Sequence, residues 1–118
     1  MTIERLLLDS NLLEGTIPSE WGGMTKLESL VMHSNKLTGT VPTSIGNMAS
    51  LRELWLNQND LEGSVPTQLG SCPALSVVHL QDNIKIGGSL PSELGNLKSL
   101  SKLENESLRK VSFCRFTC

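Results

Sequence analysis

The stretch that decides the fold is LESLVMHSNKLTGTVPTSIGNMAS, residues 27–50. Residues 51–74 read LRELWLNQNDLEGSVPTQLGSCPA and repeat its leucines, asparagine, glycines and Val-Pro pair in the same order. Self-similarity at a fixed period of this length predicts a stacked repeat array without one closed core. The four hydrophobic-proline pairs, at intervals of 24, 24 and 25 residues, end at Pro18, Pro42, Pro66 and Pro91.

The repeat divides the chain into an array over residues 1–104 and a divergent tail or cap over residues 105–118. The fifth unit starts at residue 100 and is degenerate. A native cap and a non-native terminus are both compatible with the tail. The four full units are residues 3–26, 27–50, 51–74 and 75–99.

The segment before each asparagine alternates between apolar and other residues with period two. This pattern predicts a short strand with one inward and one outward face. Each unit has roughly seven apolar side chains, each worth about 1.5–3 kcal/mol when fully buried, and they offset the ordering cost only if neighbouring units cover them. The strands are therefore predicted to stack into one parallel sheet.

Other recurring residues have structural roles in this scheme. A ladder of asparagines, each bonding backbone groups in its own unit and the next, is predicted. The glycines of the L-x-G segment allow backbone conformations closed to other residues. Each proline suits the first position of a one-turn helix, and the glycine four residues later suits its end. The ladder consists of Asn11, Asn35, Asn59 and Asn83.

With these positions filled in four consecutive units, residues 3–99 closely resemble the plant-specific class of leucine-rich repeats. The hallmark of that class is a G-x-I-P segment after L-x-x-N-x-L. The resemblance implies an α/β fold: a right-handed solenoid with a concave parallel β-sheet, a second short strand, and short helical turns on the convex side. Such arrays commonly form ectodomains of receptor-like kinases and receptor-like proteins, and polygalacturonase-inhibiting proteins. Fold alone does not choose among these uses.

The composition restricts the classes of partner that the chain is expected to bind. The 118 residues have a net charge of −2 and 38% apolar content, which fits one repeat domain and gives no support for nucleic-acid binding. No stretch approaches the roughly 18 apolar residues of a membrane span. Met1 stands two residues before the first repeat position, without a signal peptide. We therefore expect part of a longer receptor-like protein, extracellular or at the cell surface, with a cytoplasmic location left open.

Outward strand positions form columns across the sheet, with neighbours about 4.8 Å apart. An exposed apolar row flanked by polar residues is typical of an interaction surface, and Trp is a frequent anchor of binding energy. The alternative is that Trp55 only packs on its cross-strand neighbours. The candidate ligand-binding residues are Leu7, Val31, Trp55 and His79 in one column, and Asp9, His33, Asn57 and Gln81 in the next.

These columns favour a non-enzymatic module that binds a protein or peptide on the concave face. One alternative is a glycan binder or cell-wall enzyme inhibitor using Asp9, Asn57 and Gln81, as the resemblance to polygalacturonase-inhibiting proteins implies. Another is a structural spacer within a longer array. No nucleophile lies beside a general base at matching columns, so the sequence does not indicate an enzyme.

The histidines and cysteines indicate no metal or cofactor. His33 and His79 would lie roughly 10 Å apart in different columns, without further ligands to complete a tetrahedral set, so they are interpreted as surface residues. Cys72 occupies a position held by methionine in the preceding units and is predicted to be a buried thiol. Cys114 and Cys118 are the one pair worth considering for a disulfide, and Asn105 begins a glycosylation sequon.

Overall fold

Short parallel strands form the main sheet, as the period-two pattern predicts. A computed structural model describes residues 3–88 and 91–104. In the described part, its five strands lie side by side in the order in which they occur along the chain, and every neighbouring pair is parallel. The tail and its cysteine pair and sequon lie outside the described residues. The main-sheet strands are β1 Arg5–Leu7, β3 Ser29–Val31, β5 Glu53–Trp55, β7 Val77–His79 and β9 Lys102–Glu104.

The register places equivalent positions of successive units opposite each other. Leu30 pairs with Leu54, which pairs with Val78, and all three are at most 1% exposed. Because every unit contributes its inward side chain to the same row, the core is a continuous stack between coils. This confirms the predicted parallel stacking.

A second set of short strands follows the main-sheet strands. β2 pairs with β4, β6 pairs with β8, and an isolated bridge joins Thr40 to Glu62. The glycines here have positive φ, for example +86° at Gly15 and +78° at Gly39, which confirms the need for glycine. These strands are β2 Glu14–Thr16, β4 Lys36–Thr38, β6 Glu62–Gly63 and β8 Lys85–Ile86.

Helical turns of the 3₁₀ type return each coil toward the next strand. The prolines stand one residue earlier than predicted, at the N-cap, where Pro18 has φ −65° and ψ 133°. The fixed φ of proline suits this extended residue, from which the turn begins. The turns are η1 Ser19–Gly23, η2 Thr43–Asn47, η3 Thr67–Ser71 and η4 Ser92–Asn96.

The glycines within these turns do not end them, which corrects the prediction. Gly22 and Gly46 lie inside η1 and η2, and neither has a positive φ. A Cβ at Gly22 would lie 2.5 Å from the carbonyl oxygen of Ser44, and one at Gly46 would lie 2.6 Å from that of Gln68. The glycine is therefore required because adjacent turns approach each other backbone to backbone.

The ladder asparagines after the first bond to their own coil, as predicted, and to the preceding coil where bonds to the next one were predicted. The Asn59 side-chain nitrogen donates to the carbonyl of Leu56 in its own coil and of Met32 in the preceding coil, both at 3.1 Å. Its side-chain oxygen accepts the N–H of Leu37 at 3.0 Å. The carbonyl of Asn57 accepts a fourth bond at 3.2 Å, so one side chain bonds four backbone groups and ties two coils together.

The residue before each ladder asparagine has a left-handed backbone, with φ between 57° and 61°. Such a conformation costs a non-glycine residue roughly 1–2 kcal/mol. The sequence carries no visible signal for it, because the residue type changes from unit to unit. The four positions are Ser10, Ser34, Gln58 and Asp82.

Cys72 is a buried core thiol, as predicted. Its side chain is 0% exposed, and the thiol donates to the carbonyl of Ile45 at 3.3 Å. Burial raises the pKa of the Cys72 thiol to about 11. Because the thiolate is the nucleophile, the raised pKa lowers the reactivity of this residue at neutral pH.

Candidate ligand-binding face

The candidate residues lie on the outward side of the main sheet and just after its strands. We call this surface, made of the eight candidate residues, the strand face. Leu7 pairs with Val31, Val31 with Trp55, and Trp55 with His79. The polar column follows two residues later along each coil, so the structure brings both columns together.

Trp55 lies at the centre of an aromatic group on the strand face. Its ring centroid is 4.1 Å from that of His79, at an interplanar angle of 36°. The ring of His33 is 5.9 Å away, tilted by 46°. Trp55 remains half-buried, so part of the indole faces solvent while cross-strand neighbours restrict its rotation.

His79 is not the surface residue that the sequence predicted. It is only 4% exposed, with the larger indole of Trp55 stacked on one side and the strand β9 paired on the other. Its Nδ1 lies 3.4 Å from Nε2 of Gln81. His79 therefore acts as a support beneath Trp55 and offers almost no contact area of its own.

Polar side chains connect the first three coils beside this aromatic group. His33 Nε2 lies 3.7 Å from Oδ2 of Asp9, and His33 Nδ1 lies 3.0 Å from Oγ of Ser34. The Ser34 hydroxyl donates in turn to Oε1 of Gln58. Ser34 and Gln58 were not among the candidates, because their contribution depends on a left-handed backbone that the sequence does not reveal.

Three polar atoms around Trp55 have no hydrogen-bond partner in the described part of the chain, although they are buried. They are the indole Nε1 of Trp55, Oδ1 of Asn57 and Oε1 of Gln81. A buried polar atom left unpaired costs about 1–3 kcal/mol. The described residues therefore leave hydrogen-bonding groups in this part of the strand face without a partner.

The apolar end of the strand face is open. Leu7 is 51% exposed and Val31 is half-buried beside it. Exposed leucines are common singly, but here they continue the row that leads to Trp55. The row thus offers apolar contact at one end and an aromatic anchor at the other.

Charged groups on and beside the strand face are mainly acidic. Asp9, Glu53 and Asp82 carry carboxylates, whereas Arg5 carries the one guanidinium among the described side chains of these positions. Glu53 accepts a hydrogen bond from the hydroxyl of Ser29 at 2.9 Å. The surface therefore favours neutral or cationic ligand groups over anionic ones.

Two shallow grooves lie away from the strand face. One is lined by Glu28, Arg52 and Ser76, and the other by Pro18, Thr40 and neighbouring residues. None of the candidate residues lines either groove. Over the described residues, no group of three or more potential ligands is placed to hold a metal ion.

The family of the chain follows from this fold and from its sequence. The Leucine rich repeat family model matches residues 2–61. Because this is half of the 118 residues, the chain belongs to the leucine-rich repeat family. The predicted fold class is confirmed by this match and by the stacked parallel strands. The comparison with curated proteins found no match.

Solved structures of plant receptors are similar to this chain and confirm its plant-type resemblance. The Arabidopsis receptor kinase HAESA, in complex with the peptide hormone IDA and the co-receptor SERK1, is 40% identical with a TM-score of 0.81, over 86% of this chain and 18% of that chain. The ectodomain of the membrane receptor kinase GASSHO1/SCHENGEN3 from Arabidopsis thaliana, in complex with CASPARIAN STRIP INTEGRITY FACTOR 2, is 32% identical with a TM-score of 0.82, over 86% and 12%.

The same fold also occurs outside receptors. A plant ice-binding protein is 32% identical with a TM-score of 0.78, over 86% of this chain and 34% of that chain. This chain spans less than a fifth of both receptor chains and about a third of the ice-binding protein. In the described residues, no helix is long and apolar enough to cross a membrane.

Proposed function

We propose that this chain is a recognition module that holds a protein or peptide ligand on the strand face, with Trp55 as the anchor. The observation that carries the proposal is the half-buried indole of Trp55, whose ring centroid lies 4.1 Å from that of the buried His79. An aromatic side chain that is already held in place loses little conformational entropy when a ligand covers it. Trp is also the residue type most enriched among the dominant contributors to binding energy.

The surroundings of Trp55 support this role. An apolar row leads to it through Leu7 and Val31, and a polar border of Asp9 and His33 runs alongside. An apolar centre with a polar rim is the usual arrangement of a protein interface. The HAESA receptor, which shares 40% of its aligned residues with this chain, is in complex with a peptide hormone and a co-receptor.

The placement of the module is part of the same proposal. Residues 1–104 form the recognition array of a receptor-like protein at the cell surface or outside the cell, without catalysis of its own. Support comes from the similarity to the ectodomain of a plant membrane receptor kinase.

An inhibitor or glycan-binding role is the second candidate, because Trp55 with the unpaired oxygens of Asn57 and Gln81 would also suit a sugar ring and its hydroxyls.

Selection from a displayed library of random 12-residue peptides tests the proposal. Peptides selected on the wild-type chain are expected to lose affinity by about 30-fold or more on Trp55→Ala, which is about 2 kcal/mol, while the unfolding midpoint stays near that of the parent. The matched control is Gln68→Ala, on an exposed residue of η3 on the convex side. It should leave the affinity unchanged.

Equal affinity in the parent and in Trp55→Ala would remove Trp55 from the site. Titration with oligogalacturonides and with a neutral plant oligosaccharide separates the second candidate from the first. Saturable binding of either sugar, with no peptide selected on the strand face, would favour the glycan-binding role. If neither peptides nor sugars bind, a spacer role is the better description.

A further inference from the structure

The unpaired atoms around Trp55 define the chemistry of one part of the ligand. Asn57 Oδ1 and Gln81 Oε1 are acceptors, and they belong to adjacent positions of the polar column, on neighbouring coils. Trp55 Nε1 is a donor two residues before Asn57. The complementary ligand group must therefore supply at least two donors, and an acceptor must lie next to it.

Both amide oxygens are buried, so a ligand group reaches them only when the side chain moves. Asn57 and Gln81 are half-buried residues, and the terminal torsion of an amide side chain is broad and roughly two-fold. Rotation about it exchanges the positions of the oxygen and the NH2 group. When the Gln81 amide rotates, the contact it gives up is the long 3.4 Å approach of its Nε2 to Nδ1 of His79. The loss of interaction energy is therefore small.

Electrostatics decides which donor group fits. Glu53 stands two residues before Trp55 on the same coil, and Asp82 follows Gln81 directly. An anionic group would meet like charge, and among the three unpaired atoms the indole N–H is the single donor. A cationic group with several N–H donors meets acceptors, carboxylates and the electron-rich face of an indole.

We propose that Trp55, Asn57 and Gln81 form a subsite for an arginine side chain of the ligand. The guanidinium donates to the two amide oxygens and lies against the indole surface that His79 does not cover. The backbone carbonyl of the same ligand residue accepts from Trp55 Nε1. A planar guanidinium suits this arrangement better than an ammonium, because it has five donors in a fixed plane and stacks on aromatic rings. The subsite rests on the proposed function, since it assumes a peptide or protein ligand on the strand face.

The two tryptophans allow a direct measurement in solution. In a ¹H–¹⁵N spectrum of the labelled chain, the indole N–H signals of Trp55 and Trp21 report on opposite sides of the molecule. Trp21 lies in η1 and packs against the core, so its signal is an internal reference. The probe is Nα-acetyl-arginine methylamide, and its neutral match is the citrulline analogue, which has the same shape without the charge.

A saturable shift of the Trp55 signal is expected with the arginine probe, while the Trp21 signal stays in place. The citrulline probe should bind about tenfold more weakly, as is usual for the loss of one charge-assisted interaction. Gln81→Leu should lower the affinity for the arginine probe by a similar factor. The matched control Gln68→Leu, on an exposed residue of η3, should leave its affinity unchanged.

Equal affinities for the arginine and citrulline probes on the wild-type chain would overturn the subsite, and so would an unmoved Trp55 signal at the solubility limit of the probe. The same holds if a neutral oligosaccharide saturates that signal when arginine does not. These results leave the proposed function standing if displayed peptides still depend on Trp55. If instead the displayed peptides bind Trp55→Ala as tightly as the parent chain, the proposed function itself is wrong.

Discussion

The first and third coils share one template, yet their core residues meet different surroundings. Ile3 is 49% exposed, whereas its equivalent Leu51 is 0% exposed; Leu13 is 36% exposed, whereas Leu61 is 0% exposed. In the described residues, the first coil has a neighbour on one side and the third coil has one on each side. The sequence of a coil thus defines which side chains point inward, but the adjacent coils determine how much of them is buried.

The largest expected difference between the two coils concerns leucines of the main sheet. Leu54→Ala removes a side chain that is 0% exposed and should lower the free energy of unfolding by about 3–5 kcal/mol. Leu6→Ala, at the equivalent half-buried position, should cost at most about half as much. Urea titrations followed by circular dichroism measure both. Equal losses would mean that the open side of the first coil is covered in solution.

The convex side offers a second comparison, between two glycines of neighbouring turns. Gly46→Ala places a Cβ 2.6 Å from the carbonyl oxygen of Gln68 and should lower the free energy of unfolding by about 2–3 kcal/mol. Gly23→Ala, with nothing within 4 Å of its Cβ, should change it by less than about 0.5 kcal/mol. Thermal unfolding of the two variants is the measurement. A tolerated alanine at residue 46 would contradict the close approach of the turns.

The asparagine ladder should show a smaller difference. Asn59→Ala leaves the N–H of Leu37 unpaired in the interior, at a cost of about 1–3 kcal/mol, while the carbonyls of Met32 and Leu56 keep the donors of the neighbouring ladder asparagines. Asn11 is exposed and its side chain donates to carbonyls of its own coil, so Asn11→Ala should cost less than about 1 kcal/mol. Amide hydrogen exchange at Leu37 provides a local readout. If exchange there is unchanged in Asn59→Ala, the ladder bond is not protecting it.

The smallest expected effect concerns the thiol of Cys72. Native protein should alkylate with iodoacetamide at this residue far more slowly than Met24→Cys protein does at residue 24, where the equivalent side chain is half-buried. Peptide mass mapping distinguishes the sites. Comparable rates at residues 24 and 72 would contradict the burial difference.

The same thiol makes stability depend on pH in a defined window. Burial raises the pKa of Cys72 from 9.0 to about 11, so between these values the unfolded chain releases a proton that the folded chain retains. The stabilisation present below pH 9 is therefore lost as the pH rises toward 11. Cys72→Met introduces the residue type that Met48 has at the equivalent position of the preceding coil. The free energy of unfolding of this variant should decline less steeply over the same pH range. Identical pH profiles in parent and variant would exclude the effect.

Several features could be read from the sequence because they recur. The inward leucines, the positive-φ glycines such as Gly39 and the buried position of Cys72 follow from a pattern repeated in each unit. Others could not, because they depend on the distance between coils. The need for glycine at residue 46 depends on the backbone of Gln68, which lies against it in the next coil.

The strand face was the least predictable region. Its columns follow from counting residues, and Trp55 was predicted as its centre, with the ligand itself still a proposal. The burial of His79 was predicted wrongly, because a period-two pattern assigns a side chain to a face and does not show that a larger neighbour covers it. The unpaired oxygens of Asn57 and Gln81 likewise depend on side-chain directions within that face.

The sequence by itself determined the repeat, the parallel stacking and the side of the sheet on which each residue lies, since these follow from periodicity and from the need of each coil for a neighbour. The tertiary structure alone decided which outward residues remain accessible, which asparagine bonds reach the preceding coil and which polar atoms stay unpaired. These properties arise between coils, over a few ångströms that no single unit of the sequence encodes.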